Sequence, residues 1–312
     1  SGFLPIVTVL INWFDKSRGR AIAIYQLGGS IGALFVPILA WSILNIGWRQ
    51  TTIWIGFLVI IVGIPLALLM RPRPEDYGYL PDGADPESVL NEDTEDSKEA
   101  NVENTSIMQV LKSRSFWFLG LSHSAGITAW GALQVHQIPA LVDIGITELV
   151  AASIVSYTLV ISAFGRLAGG FLGDILGTKK IIATAFILQG IAVAILAFAD
   201  SNIDVMIFAT IFGIAFGTRG TLMTVLRADV FGRQNFSRLA GLMDPVSSVS
   251  VLIAPILAGF IFDTTGSYKV AFLILAIVNA SGAFLLLGVT VPQRPKKYTP
   301  TMKAMDREIN AG

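Results

Sequence analysis

Two stretches of this sequence repeat each other: RAIAIYQLGGSIGALFVPILA, from Arg20 to Ala40, and RLAGLMDPVSSVSVLIAPILA, from Arg238 to Ala258. In each copy an Arg stands 17 residues before a Pro-Ile-Leu-Ala sequence, and the two copies are 218 residues apart. An aromatic residue precedes each copy and a Gly with a nearby aromatic residue follows it, at Phe14, Phe231, Gly47-Trp48 and Gly266-Ser267-Tyr268. A repeat with this period predicts two structurally equivalent halves.

The segments in and around the repeat are apolar enough to cross a membrane. Of the 312 residues, 53% are hydrophobic and 14% are charged, against about 25% charged residues in soluble domains. Runs without a charged residue cover 21–48, 50–70, 115–142, 181–199 and 270–293, and shorter or nearly charge-free runs cover 1–14, 149–165, 205–226 and 245–262. Because about 20 apolar residues span the hydrocarbon core, these runs predict nine transmembrane helices in an all-α membrane protein.

The basic residues fall on alternate connections between these helices. Of the 22 Lys and Arg residues, 19 lie in one set of connections or in the tail, whereas the opposite set holds Arg49 and Lys269, and Arg219 lies within a helix. Since cytoplasmic loops collect Lys and Arg, we expect a multi-pass protein of the cell membrane with a cytoplasmic C-terminus.

The charge distribution also predicts the domain boundaries. Half of the acidic residues, 11 of 22, lie between Glu75 and Glu103, which indicates a solvated linker. We expect three helices of a first half in 1–70, an acidic cytoplasmic linker in 71–112, a six-helix second half in 113–292 and a cytoplasmic tail in 293–312. The second copy of the repeat closes a group of six helices and the first closes a group of three, so we expect three N-terminal helices to be missing before Ser1.

Several classes of function lack the residues they need. The net charge is 0, and no basic and aromatic residues interleave to bind nucleic acid. The chain contains no Cys and two His, which gives no metal-ligand spacing. Without a nucleophile motif, a phosphate-binding loop or paired acids in a plausible pocket, we expect no enzyme activity, no metal and no cofactor.

The most specific local motif is GRLAGGFLGD, Gly165 to Asp174, followed by Gly177, Lys179 and Lys180. It resembles the loop between helices 8 and 9 of the major facilitator superfamily, although Ile175 replaces a basic residue and Thr178 shifts the basic pair. The resemblance implies the major facilitator fold, seen from helix 4 to helix 12 of a two-times-six-helix architecture. It further implies a secondary transporter, a symporter or antiporter, that works by alternating access in a lipid bilayer, and we expect a monomer.

Two shorter motifs narrow the resemblance. Trp13-Phe14 followed by Arg18-Gly19-Arg20-Ala21, and Gly47-Trp48-Arg49, are similar to the branch that holds monocarboxylate transporters and oxalate:formate antiporters. A small organic anion, a carboxylate, is therefore the expected solute.

The motif also predicts a gate. Asp174 ends a helix, where a carboxylate can cap the positive N-terminus of the helix that opens near Gly19. Gly165, Gly169 and Gly173 form a small-residue face that lets another helix approach closely, and we expect the same of Gly28 with Gly32 and of Gly213 with Gly217. The expected gating residues are Asp174, Arg20, Gly170, Gly177, Lys179, Lys180 and Arg238.

Charged residues within the membrane need a partner or a function, because each costs about 2.5 to 3.5 kcal/mol to insert. Arg219 and Asp244 lie about 12 and 9 Å from one end of their helices, so we expect them to pair, either as a structural ion pair or as a switch opened by a proton or an anion. The repeat maps Asp244 onto Gln26, and the two are expected to face each other across a central cavity.

The remaining candidates come from helices expected to line that cavity. By resemblance to the monocarboxylate branch, Arg166 grips the substrate carboxylate, but Ser162 stands where the family has an acid, which leaves proton coupling there without its residue. His123 and His136 lie in the first helix of the second half, as do Trp130 and Gln134. The expected substrate-binding set is Arg166, Arg219, Asp244, Gln26 and His136.

Two rival functions fit the same sequence. Asp244 would serve as the cation ligand in an efflux transporter of neutral or cationic amphiphiles. A transport-inactive membrane sensor or scaffold would instead act through the acidic loop. The primary expectation remains transport of a small carboxylate, with protons as an expected coupling ion through Asp244.

Overall fold

A computed structural model describes residues 3–14, 17–33, 35–83 and 111–290, and this part of the chain forms ten α-helices with no β-strand. The helices are α1 (Phe3–Trp13), α2 (Arg18–Ala33), α3 (Val36–Ile46), α4 (Trp48–Leu69), α5 (Arg114–Asp143), α6 (Glu148–Leu176), α7 (Thr178–Ala197), α8 (Asn202–Gly232), α9 (Phe236–Thr265) and α10 (Lys269–Leu285). Short 3-10 turns occupy Glu75–Tyr77, Pro81–Gly83 and Leu286–Gly288. The architecture is therefore all-α, as predicted.

Six of these helices, α4 and α6 to α10, are long and apolar enough to cross a membrane, α10 being counted to Gly288. The other three predicted spans are also helical, but α1 is a short apolar helix, α2 and α3 are interrupted between Ala33 and Val36, and α5 is diluted by polar residues such as Ser122 and Gln137. The chain is a multi-pass membrane protein by length and composition of its helices.

The repeat found in the sequence is present in the helices. α9 begins at Phe236, 218 residues after α2 begins at Arg18. The copies differ at their shared proline, since the first breaks before Pro37 whereas α9 continues through Pro255. Proline removes a backbone donor and crowds the preceding turn, and the first copy also carries Gly28, Gly29 and Gly32 just before the break.

A single residue reverses the chain between α8 and α9. Gly232 has φ 73° and ψ 166°, a conformation that is open to glycine and strained for residues with a Cβ. The reversal places the end of α8 beside the start of α9, where Phe231, Phe236 and Leu239 share one hydrophobic cluster.

The second half encloses the core, and the first helices pack against it. Val7 and Ile11 of α1 and Ile22 of α2 lie in the same buried cluster as Met223 and Leu239 of the second half. By contrast, Thr51 is the only buried residue of α4. α4 therefore presents its apolar side chains outward, as expected of a lipid-facing helix.

Glycines bring α6 close to two neighbours, as predicted. A Cβ on Gly169 would stand 2.8 Å from Thr218 of α8, and one on Gly170 would stand 2.8 Å from the Gly19 carbonyl oxygen of α2. The same close approach holds for Gly165, Gly173, Gly213 and Gly217. Beside Gly28 and Gly32 the described residues leave open space within 4 Å, so the expectation is not met there.

The predicted linker and tail lie largely outside the described residues, at 84–110 and 291–312. The first residues of the linker pack back onto α1, because Asn12 Nδ2 donates to the Pro72 carbonyl at 3.0 Å and Trp13 Nε1 to the Arg71 carbonyl at 2.8 Å. The domain boundaries themselves stay predictions.

Candidate functional site

Arg166 lies where the two halves meet. It is partly buried in α6 and its Nη1 donates to the backbone carbonyl of Gln26 in α2 at 2.7 Å. Eight residues separate it from Asp174, so it stands about 12 Å from that end of α6. We call the end at which Asp174, Arg18 and Arg238 lie the basic end.

Gln26 links α2 to two helices of the second half. Besides the carbonyl contact with Arg166, its Oε1 accepts a hydrogen bond from the buried hydroxyl of Thr221 in α8 at 3.1 Å. Gln26 was predicted to face Asp244, and among the described residues its side chain binds Thr221 instead. The repeat predicts that Gln26 and Asp244 lie at the same height in the two halves, but it does not predict the direction in which their side chains point.

Asp244 pairs with Arg227 rather than with Arg219. Its Oδ1 lies 3.7 Å from Arg227 Nη1, and 48% of the Asp244 side chain is exposed against 7% for Arg227. The predicted Arg219–Asp244 pair is therefore wrong. The reversal at Gly232 brings the last turns of α8 beside α9, which makes Arg227 the nearer cation.

Arg219 occupies the core of the second half. It is 1% exposed, and its Nε donates to Gln189 Oε1 of α7 at 2.8 Å. The guanidinium carbon lies 5.4 Å from the Phe186 ring centroid and 5.7 Å from that of Phe216, within reach of cation–π attraction. Its Nη1 has no hydrogen-bond partner in the described part of the chain.

The surroundings of Arg219 join four helices. Gly126 of α5 leaves the room that the guanidinium occupies, since a Cβ there would stand 2.6 Å from Arg219 Cζ. The Gly126 carbonyl also accepts long hydrogen bonds from Gln189 of α7 and Asn279 of α10, both at 3.4 Å. We call Gly126, Gln189, Arg219 and Asn279 the polar cluster. It links α5, α7, α8 and α10, and a substrate role for Arg219 stays a prediction.

A cavity of about 450 Å³ lies between α5 and α9. Asp244, His123, Ser247 and Ser248 form its polar wall, and Ile127, Val251, Leu252 and Pro255 form its apolar wall. Within the described ranges, His123 Nδ1 and Ser247 Oγ are buried without a hydrogen-bond partner. The sequence indicated Asp244 and His123 here, whereas no pattern singled out Ser247.

His136 connects α5 to Pro255 within α9 and to Tyr268 just before α10. Its Nδ1 lies 3.1 Å from the Tyr268 hydroxyl and its Nε2 lies 2.9 Å from the Pro255 carbonyl. Because a carbonyl only accepts, Nε2 donates to Pro255, and Nδ1 shares a hydrogen bond with the Tyr268 hydroxyl. Burial, with smaller effects of Asp143 and Asp263, raises the pKa of the Tyr268 phenol. A role of His136 in binding substrate stays a prediction.

Asp174 lies at the N-terminus of α2, as the sequence predicted. Its carboxylate accepts from the backbone N–H groups of Gly19 and Arg20, and its Oδ2 lies 3.5 Å from Arg20 Nε. A negative charge at this position is favoured by the helix dipole and by the free N–H groups of the first turn. Its function as a gate stays a prediction.

A second contact at the basic end was missed in the sequence. Arg18 Nη1 of α2 lies 3.0 Å from Asp229 Oδ1 near the end of α8. The signal was present, because Asp229 is the only acidic residue in α8 besides Asp204 at its opposite end.

The other predicted gating residues lie near this surface. Gly177 turns the chain between α6 and α7 with φ 94°, and Lys179 Nζ donates to the Val289 carbonyl at 2.8 Å. Lys180 and Arg238 are exposed. The two lysines therefore differ in their surroundings: Lys179 binds the backbone just after α10, and Lys180 is exposed.

Comparison with known proteins gives a family match and named relatives. The family model described as Major Facilitator Superfamily matches residues 1–138 and 128–305. Monocarboxylate transporter 12 of Rattus norvegicus is 24% identical over 315 residues, which cover 95% of this chain and 64% of the relative. The hexuronate transporter of Escherichia coli strain K12 is 24% identical over 288 residues, which cover 88% of this chain and 66% of the relative. The chain thus spans about 64% of the length of the first of these relatives.

Proposed function

The chain belongs to the major facilitator superfamily, and from that premise we propose that it is a secondary transporter of a small organic carboxylate. In this proposal the two halves rock about the contact between α2 and α6, so that the solute site opens to one side of the membrane at a time. In this proposal the protein lies in the cell membrane and its basic end faces the cytoplasm, because loops rich in Lys and Arg stay on the cytoplasmic side.

Arg166 carries the proposal. Its side chain lies at the junction of the halves, and in the described residues it has one hydrogen bond, to the neutral carbonyl of Gln26 at 2.7 Å. No ion pair joins it to a carboxylate in the same part of the chain. A guanidinium at this depth with only a neutral acceptor is a favourable site for an anion, and its planar fork fits a carboxylate.

The position of Arg166 also links binding to movement. A solute carboxylate that takes the Arg166 donors competes with the Gln26 carbonyl, which belongs to the other half of the protein. Binding would therefore favour states in which α2 and α6 have separated, provided that the solute binds those states more tightly. Among the relatives, proteins named monocarboxylate and hexuronate transporters support a carboxylate as the solute.

Uptake by proteoliposomes of the full-length protein tests this proposal. Radiolabelled lactate and glucuronate are offered to the parent and to Arg166→Gln, Arg166→Lys and Arg49→Gln. A charge-assisted hydrogen bond contributes about 1.5 to 3 kcal/mol, so Arg166→Gln should lower uptake by about ten- to a hundredfold. Arg166→Lys should keep part of the activity, since it retains the charge but loses the fork.

Arg49 supplies the control, because it is exposed and its guanidinium stacks over the neighbouring Trp48 at 4.7 Å. Arg49→Gln should transport like the parent. Arg166→Gln that elutes as a monodisperse species and transports like the parent contradicts the proposal.

One observation favours a second candidate function. Asp244 exposes 48% of its side chain and lines a cavity whose other wall is apolar, a combination suited to an amphiphilic cation. Efflux of such a compound would be inhibited by organic cations and not by carboxylates, and it would survive Arg166→Gln. A competition panel of both classes separates the two functions.

Proton coupling through Asp244 belongs to the same proposal. A proton on Asp244 would leave the buried charge of Arg227 without its partner, which favours binding of an anion nearby. Proton flux measured alongside labelled solute flux in parent and Asp244→Asn liposomes tests this coupling. Equal proton-to-solute ratios in the two proteins contradict it.

A further inference from the structure

The carboxylate of Asp244 is compensated in charge but not in hydrogen bonding. Arg227 Nη1 lies 3.7 Å from Asp244 Oδ1, which is longer than a hydrogen bond. No side-chain or backbone donor in the described ranges makes a hydrogen bond to either Asp244 oxygen, while the neighbouring Ser248 hydroxyl donates to the Asp244 backbone carbonyl at 2.8 Å. The carboxylate therefore keeps about four lone-pair sites available on the cavity wall.

Two further polar atoms at the cavity are also without a partner. Ser247 is 4% exposed, and its Oγ makes no hydrogen bond within the described part of the chain. His123 Nδ1, on the opposite helix α5, is in the same situation. Buried polar groups left unpaired cost about 1 to 3 kcal/mol each. The cavity wall thus has three groups that can form hydrogen bonds with a bound solute: Ser247 Oγ, His123 Nδ1 and the Asp244 carboxylate.

The charges around these three groups decide which solute group fits. Asp244 already faces the cation Arg227, so an added ammonium group would meet a positive charge as well as a negative one. A neutral group that both donates and accepts hydrogen bonds meets no such conflict. The hydroxyl group has this property, since it can donate to Asp244 and accept from or donate to Ser247 and His123.

The cavity and Arg166 stand at a similar height in the protein. Asp244 lies six residues after Arg238 in α9, and Arg166 lies eight residues before Asp174 in α6, so they stand about 9 and 12 Å from the basic end. A similar height is what one solute needs in order to present a carboxylate to Arg166 and its other end to the cavity between α5 and α9.

We propose that His123, Asp244 and Ser247 form a subsite that recognises hydroxyl groups, so that the solute is a hydroxylated carboxylate and not a plain fatty acid. This inference rests on the proposed function, because Arg166 is taken to hold the carboxylate end. The apolar wall formed by Ile127, Val251 and Leu252 packs against the carbon chain of the solute.

Gluconate and hexanoate provide a matched test, since both have six carbons and one carboxylate and differ in hydroxyl groups. Their binding to the purified full-length protein is measured by the concentration dependence of ligand-induced thermal stabilisation. The parent should bind gluconate at least about tenfold more tightly than hexanoate, because each hydroxyl that pairs with the subsite contributes about a fewfold in affinity.

Two variants locate the preference. Ser247→Ala removes a hydroxyl that makes no hydrogen bond in the described part of the chain, so it should fold like the parent and lower the preference for gluconate about fivefold. Asp244→Asn should lower it further. Ser250→Ala and Asp263→Asn, on the same helix but outside the cavity, should keep the parental preference.

The outcomes separate this inference from the proposed function. Equal or tighter binding of hexanoate by the parent overturns the hydroxyl subsite and leaves carboxylate transport standing. A preference for gluconate that persists in Ser247→Ala and Asp244→Asn also overturns it, because the recognition then lies elsewhere. Binding of neither carboxylate overturns the proposed function and this inference with it. Asp244→Asn with Arg227→Gln, which leaves no unpaired charge, replaces the single variant if that one does not fold.

Discussion

Arg18 Nη1 and Asp229 Oδ1 stand 3.0 Å apart across the boundary between α2 of the first half and α8 of the second, and 4% and 20% of their side chains are exposed. The same turn of α2 receives the Asp174 carboxylate from α6. Two acids of the second half therefore bind one helix N-terminus of the first half, which joins the halves at the basic end.

We expect Arg18→Gln and Asp229→Asn each to destabilise the protein, because each breaks an ion pair between two largely buried side chains. The double variant should lose less than the sum of the single variants, with a coupling energy of about 1 to 3 kcal/mol. Thermal unfolding in detergent, run on all four proteins, measures this coupling. Strictly additive losses would show that the pair contributes nothing as a pair.

Asp174→Asn should open the basic end. The substitution removes the charge from the hydrogen bonds to the first turn of α2 and from Arg20, and each charge-assisted contact contributes about 1.5 to 3 kcal/mol. Because the chain has no Cys and Thr221 is 0% exposed, a single Thr221→Cys reports the separation of the halves. We expect thiol labelling at least about tenfold faster in the Asp174→Asn background than with Asp263→Asn, and equal rates would reject a gate at Asp174.

Gly217 and Gly220 make a matched pair on one helix. A Cβ on Gly217 would collide with the backbone of Ser162, whereas one on Gly220 meets no described atom within 4 Å. Gly217→Ala should cost about 1 to 3 kcal/mol through overpacking, and Gly220→Ala should be neutral or gain about 0.5 to 1 kcal/mol of helix stability. Thermal stability of the two variants decides, and similar values would contradict the packing of α6 on α8.

Gln189→Leu should destabilise the polar cluster around Arg219. The substitution removes the Oε1 that accepts from Arg219 Nε at 2.8 Å and leaves a buried guanidinium with no hydrogen-bond acceptor in the described residues. We expect a loss of about 2 kcal/mol or more, against little change for Gln134→Leu on the exposed face of α5. If the two variants unfold at the same temperature, the hydrogen bond from Arg219 to Gln189 does not stabilise the polar cluster.

The sequence predicted features that depend on position along a helix. Apolar runs and the 218-residue repeat fixed the helices and their register, and the spacing of Gly165, Gly169 and Gly173 predicted a close helix contact. The contact between Asp174 and the start of α2 was predictable, because a carboxylate at a helix end is stabilised by the N-terminus of a neighbouring helix.

Side-chain partners were harder to predict, because they depend on the rotation of each helix about its axis. Arg219 and Asp244 share a depth, but the reversal at Gly232 delivers Arg227 to Asp244 and turns Arg219 toward Gln189. Ser247 carries no sequence signal at all, since a serine in an apolar helix usually satisfies its hydroxyl on the preceding turn and this one does not.

The acceptor for Arg166 is a main-chain oxygen of Gln26 and not its side chain. Almost any amino acid placed at position 26 would supply the same oxygen, so a saturation mutagenesis screen would score that position as permissive, apart from loss of the bond to Thr221. Residue 26 can therefore change while the contact with Arg166 persists, and sequence variability there would conceal one of the points at which the two halves touch.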